Sequence, residues 1–205
     1  MAAGYVDAVG FMMTGGFFVS FMSGNSTRLA VGLVENAAYA ALALSLIVAF
    51  VTGVSVGAFV GRAAKARRGV AVLILVSFLL AGAATLASFG ADRLAILMLA
   101  MAMGAENTVF TEDGEVRIGL TYMTGTLVKL GKGITTALLG GDRFGWTPYF
   151  LLWLGLVAGA ALGATAYLKL GPQALWWAAG SMALLAQVAA KLPISLASAR
   201  ELRAD

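Results

Sequence analysis

Residues Ala37–Gly61 read AAYAALALSLIVAFVTGVSVGAFVG, an apolar run without one charged side chain. A bilayer core is spanned by roughly 20 apolar residues in a helix, so this run is long enough to cross. It is followed at once by Arg62-Ala63-Ala64-Lys65-Ala66-Arg67-Arg68, a basic cluster of the kind that marks the cytoplasmic end of a membrane span. Three more runs of similar character follow, Gly69–Gly90, Trp146–Leu168 and Ala174–Ala190. Two further regions, Gly4–Val34 and Leu94–Leu139, are apolar but interrupted by glycine, hydroxyl, amide and ionisable residues.

The whole chain agrees with this reading. Of its 205 residues, 60% are hydrophobic and 12% charged, against about 45–50% and about 25% in soluble domains. The expected fold is an all-α, polytopic transmembrane helix bundle whose principal partner is the lipid bilayer. With no Cys and no His in the chain, disulfides, thiolate chemistry and imidazole catalysis are excluded. No enzyme activity and no cofactor are expected. The net charge of +4 sits mainly in clusters flanking the apolar runs, so it points to membrane orientation and not to nucleic acid. The first residues lack the basic region and cleavage site of a signal peptide, so insertion is expected to use the internal apolar segments.

The chain also reads as a duplication with an offset of about a hundred residues, the kind of period worth seeking first. Gly4-Tyr5-Val6-Asp7-Ala8-Val9 lies over Gly104-Ala105-Glu106-Asn107-Thr108-Val109. The stretch Ser20–Leu29 lies over Thr121–Leu130, which sets Arg28 against Lys129 and Asn25 against Thr126. Gly53, Gly57 and Gly61 lie over Gly155, Gly159 and Gly163. A first transmembrane repeat over 1–90, a second over 91–193 and a polar C-terminal tail over 194–205 are expected. Each repeat has three segments, the first of them interrupted or re-entrant. Three crossings per repeat make the repeats inverted and place Arg62–Arg68, Arg143 and the C-terminal cations on one side, with Arg93 and Lys169 on the other, whereas four crossings per repeat make the repeats parallel and nearly erase this asymmetry. The polar segment Thr111–Arg117 has to reach water or a wet cavity.

Paired interruptions in corresponding segments are the best sequence pointer to a transporter site. Gly15-Gly16 loosens the first segment, and Ser23-Gly24-Asn25-Ser26-Thr27 before Arg28 resembles the start of a new helix. Thr124-Gly125-Thr126 before Lys129 is its counterpart. Helix N-termini attract anions, so two such starts, each with a cation one turn further in, suit an anionic or carboxylate-bearing solute. Asp7, Glu106 and Asn107 add acidic and hydrogen-bonding groups, and a buried carboxylate can carry a proton. The expected substrate-binding set is therefore Asp7, Ser23, Gly24, Asn25, Thr27, Arg28, Glu106, Asn107, Thr124, Gly125, Thr126 and Lys129. The same charges can instead neutralise one another as Asp7–Lys129 and Glu106–Arg28 pairs, because unpaired charge inside a membrane is costly. The glycine ladders allow close helix packing, within the chain or between copies in a homo-oligomer.

The motifs Gly4–Phe11 and Met22–Leu29, with Gly104–Asn107 and Thr121–Leu127, resemble the YoaK-like bacterial membrane proteins, a domain of unknown function. The resemblance covers nearly the whole chain. It implies a multi-pass protein of the bacterial inner (plasma) membrane and carries no substrate or catalytic residue with it. Two functions remain in view: a small-solute or ion transporter or channel with a central site between the repeats, and a non-transporting membrane scaffold or accessory subunit.

Overall fold

The computed structural model describes residues 1–109 and 123–191, together with the backbone of 111, 112, 115 and 116. The expected C-terminal tail, 194–205, lies outside the described residues. The helices are α1 Ala2–Met13, α2 Met22–Glu35, α3 Ala37–Ala63, α4 Arg68–Ser88, α5 Asp92–Glu106, α6 Met123–Leu138, α7 Thr147–Leu170 and α8 Leu175–Lys191. Short 3-10 turns, Lys65–Arg67 and Gly171–Ala174, join α3 to α4 and α7 to α8. Beyond the helices, β1 Thr111–Glu112 and β2 Glu115–Val116 form a minimal antiparallel ribbon inside the polar segment that was expected to leave the lipid. The fold is helical throughout apart from that ribbon, among the described residues.

Three stretches are long and apolar enough to cross a membrane: Ala37–Ala63, Lys65–Ser88 and Thr147–Lys191. The third holds two helices, because Gly171 takes a φ of +59° and turns the chain between α7 and α8. The four apolar runs of the sequence are thus α3, α4, α7 and α8. α1 is a shorter apolar helix. α1 and α5 contribute to the centre of the bundle, where Val6, Val9, Leu46, Val72, Val76, Leu80, Leu99, Met103, Leu175 and Met182 are fully buried. α6 contributes no buried residue and lies along the edge of α7.

The glycine ladders explain how the helices come together. In lipid, helices gain little from hydrophobic burial against one another, so association depends on close packing through small residues. A Cβ on Gly53 would collide with the backbone of Met101, and one on Gly57 with Ala105 and the Thr108 hydroxyl. The reciprocal fit is Gly104 of α5 against the Phe50 carbonyl of α3. On the other side of the bundle, Gly159 meets the backbone of Met1, Gly163 that of Tyr5, and Gly4 the Leu156 carbonyl. The ladders therefore join the first half of the chain to the second, α3 to α5 and α7 to α1. At these positions the surface is used within one chain and not between copies. The Tyr5 hydroxyl adds a hydrogen bond to the Ala174 carbonyl at 2.9 Å.

Gly53→Ala and Gly159→Ala are expected to destabilise the purified protein by about 1–3 kcal/mol each, the usual cost of overpacking a tight contact. Gly180→Ala, where a Cβ meets nothing within 4 Å, is expected to leave thermal unfolding in detergent unchanged or slightly improved.

Candidate functional site

The interruption in the first segment falls at 14–21, before the motif that sequence reading took for a helix start. Gly15 and Gly16 take φ of +68° and +121°, a region that glycine enters at little cost, and they end α1. α2 then begins at Met22, so Ser23, Gly24, Asn25, Ser26 and Thr27 lie inside its first turns and cap nothing. The Ser26 and Thr27 hydroxyls donate back to the carbonyls of Met22 and Ser23 at 2.9 and 3.3 Å. This back-bonding lets a helix carry hydroxyl residues without exposing unmet donors.

Backbone groups freed by the interruption are met by side chains. The N–H groups of Val19 and Ser20 donate to Asp7 Oδ1 at 3.0 and 2.8 Å. The Phe18 N–H donates to Asn25 Oδ1 at 3.1 Å, and Asn25 Nδ2 donates to the Phe18 carbonyl at 2.6 Å. Thr14 likewise receives the Phe17 N–H at 2.9 Å and donates to the Phe17 carbonyl at 2.7 Å. Two of the backbone donors at this break are therefore occupied by Asp7, from the same chain.

The two cations do not converge. Arg28 lies over the Phe17 ring, 4.9 Å from its centroid, with its guanidinium beside Gly16. Lys129 is exposed on α6 and lies 5.8 Å from the Tyr149 ring centroid. Cation–π contact of this kind suits a charge at the edge of a membrane protein. The alternative Asp7–Lys129 and Glu106–Arg28 pairs do not form among the described residues. α2 packs on α3 and α6 on α7, so the two helix starts do not share an interface. Ser23, Thr27, Thr124 and Gly125 are exposed, and Thr126 is partly covered.

Glu106 and Asn107 are placed differently. Both are buried, at 4% and 7% exposure. Asn107 Nδ2 donates to the Met103 carbonyl at 2.8 Å, and the neighbouring Thr108 hydroxyl to that of Ala105 at 2.8 Å. Glu106 Oε2 is buried with no hydrogen-bond partner. It lines a cavity of about 630 Å³ whose other walls come from Met1, Ala3 of α1, Gly69 and Leu73 of α4, Leu156 of α7 and Met182 and Leu185 of α8. Both halves of the chain wall this cavity. Arg67, which is exposed, also borders it. Of the expected binding set, Glu106 alone lines it. The remaining wall is mostly apolar and carries no sequence signature, which is why sequence reading missed Leu73, Leu156 and Leu185. Among the described residues no group of acidic side chains could hold a metal ion.

Long apolar helices joined by glycine ladders, with the Glu106 carboxylate buried between them, define a helical transmembrane protein. The chain belongs to the family described as protein of unknown function DUF1275, which it matches over residues 1–188. It is 38% identical over 192 residues to the UPF0700 transmembrane protein RA0705 of Rhizobium meliloti (strain 1021), covering 93% of this chain and 83% of that protein. It is 25% identical over 146 residues to the UPF0700 transmembrane protein YoaK of Bacillus subtilis (strain 168), covering 67% of this chain and 65% of that one. No solved structure matches.

The contacts at the interruption distinguish substitutions that look alike. Asp7→Asn keeps an acceptor for Val19 and Ser20 and is expected to unfold close to the parent temperature. Asp7→Ala orphans both N–H groups and is expected to lose about 1–3 kcal/mol. Asn25→Asp removes the donor to the Phe18 carbonyl and is expected to resemble Asp7→Ala, as read by thermal unfolding of the solubilised protein.

Proposed function

We propose that the protein is a small-solute transporter or channel of the bacterial inner membrane, built as an inverted repeat, with its solute site in the cavity between the halves. The observation that carries this reading is the cavity of about 630 Å³ containing the buried Glu106 carboxylate. An ionisable residue inside a membrane protein is expensive, and facing a cavity is the usual reason for keeping one. A site shared by two halves of a chain is also where transporter folds bind their solutes. The reading is non-enzymatic.

Helix directions support the inverted arrangement. α3 and α5 run side by side in the same sense, since Gly53 faces Met101 and Gly57 faces Ala105. α1 and α7 do likewise, with Met1 at Gly159 and Tyr5 at Gly163. α4 runs against α5, Gly82 facing Met98 while Gly69 approaches Val109. α8 runs against α4, since Gln173 Nε2 reaches Ser88 Oγ at 3.1 Å while Val70 and Ala190 wall the same groove. α1 and α2 then read as one interrupted crossing, followed by α3 and α4. α5 and α6, then α7 and α8, follow the same order in the opposite sense. Arg62, Lys65, Arg67, Arg68, Arg143 and Lys191 share one end, and Arg93 and Lys169 the other. That asymmetry puts the first end in the cytoplasm. It also places the cavity, bordered by Arg67 and Gly69, toward that side.

The anionic solute expected from the sequence depended on Arg28 and Lys129 facing one site, and neither lines this cavity. A scaffold role draws its support from α6, whose residues are all at least partly exposed and could meet another protein.

The chain has no native cysteine, so single ones report cleanly. In inside-out membrane vesicles, Leu73→Cys on the cavity wall is expected to react with a membrane-impermeant thiol reagent. Val51→Cys, exposed on α3 toward lipid, is expected to stay protected. Protection of both positions would remove the cavity and favour the scaffold.

A further inference from the structure

We propose that the cavity between the halves takes an organic cation with an apolar body, and that Glu106 is its counter-charge. This rests on reading the cavity as a solute site and goes beyond it by naming the chemical class.

The first support is the state of Glu106. Its side chain is 4% exposed and its Oε2 has no hydrogen-bond donor. A carboxylate removed from water without a partner is strongly disfavoured, and polar groups in such a place are normally satisfied. Glu106 lines a cavity large enough for a ligand, and the unmet oxygen lies just beneath that surface, so the missing partner is sought there after a small rotation of the carboxyl group. A carboxylate without a bound proton accepts hydrogen bonds and attracts positive charge. It repels an anion.

The second support is the rest of the wall. Leu73, Leu156, Met182 and Leu185 give the cavity that Glu106 lines a hydrocarbon and thioether surface. Methionine adapts its shape to a ligand, and leucine gains from burial against apolar groups. A bare metal ion is a poor occupant. Calcium and magnesium ask for six or more oxygen ligands, and this wall offers one carboxylate. A small hydrophilic cation would leave the apolar wall without a partner. A cation carrying hydrocarbon satisfies both features.

Met1 and Arg67 also border the space, and both are exposed. The positive charge at Met1 already acts on Glu106, so an entering cation has to compete with it for the carboxylate.

The test uses the full-length Leu73→Cys protein in native membrane vesicles, with tetraphenylphosphonium as the probe. Tetraphenylborate, similar in shape and opposite in charge, is the control. The phosphonium is expected to slow thiol labelling of the cavity cysteine, and the borate is expected to leave it unchanged. Adding Glu106→Gln is expected to preserve labelling, which shows the cavity intact, while raising the protecting phosphonium concentration by about tenfold or more. A cysteine that does not label at all removes the cavity, and both readings fall together. A cysteine that labels but is not protected by the phosphonium overturns the cation assignment alone. Equal protection by the borate, or undiminished protection in Glu106→Gln, overturns it as well.

Discussion

Close backbone contact between helices, made possible by glycine, is the constraint on which the rest of the structure depends. Gly53 and Gly57 bring α3 onto the backbone of α5, and Gly159 and Gly163 bring α7 onto α1. In water such contacts would be one contribution among many. In a bilayer, where hydrocarbon surrounds the helices in either state, they are a principal source of specificity. Each half thereby supplies its long ladder helix to the other half's short first helix. α1 and α5 thus have their main partners in the other half, while α2 and α6 stay on α3 and α7 of their own halves. A cavity walled by both halves follows from this exchange, since α1 and α5 end against foreign helices close to α4 and α8.

The polar residues divide according to the same geometry. Where α1 stops at Gly15 and Gly16, the freed backbone groups that are buried have to be satisfied within the protein. Thr14, Asp7 and Asn25 satisfy them, each reaching a specific amide or carbonyl in the segment before α2. Arg28 and Lys129 rest on aromatic rings toward the outside. Glu106 is the exception. It is more deeply buried than Asp7, yet one of its oxygens meets no donor, and the residue lines the cavity. The contrast between Asp7, fully employed by its own chain, and Glu106, not so employed, is the strongest physical reason to place function at the second.

Much of this was readable from residue order alone. The runs that became α3, α4, α7 and α8 are apolar over their whole length, and a membrane helix needs no finer pattern than that. The glycines at four-residue intervals announced close packing, because few other roles explain them. Their partners were not readable, since a ladder accepts any helix of suitable shape and the chain does not say which. Gly15-Gly16 marks the end of α1 as expected, but the start of the next helix was misjudged. Ser23–Thr27 resembles a cap, but α2 starts at Met22 and its hydroxyls turn back onto the helix. Asp7, too distant in sequence for any capping rule to include, holds the loop instead. The expected anion site needed Arg28 and Lys129 to converge, and they lie on different helices, α2 against α3 and α6 against α7, since positions that align in a sequence need not meet in space. The cavity escaped notice because leucines and a methionine on its wall look like any other apolar filler.

The exchange of first helices between the halves can be measured by producing residues 1–90 and 91–205 as separate chains in one cell, with an affinity tag on the first. The account predicts that the second chain co-purifies in equal amount from mild detergent, and that the pair is lost when Gly53 and Gly159 are both replaced by leucine. Isolation of either chain as a folded species with no affinity for the other would contradict it.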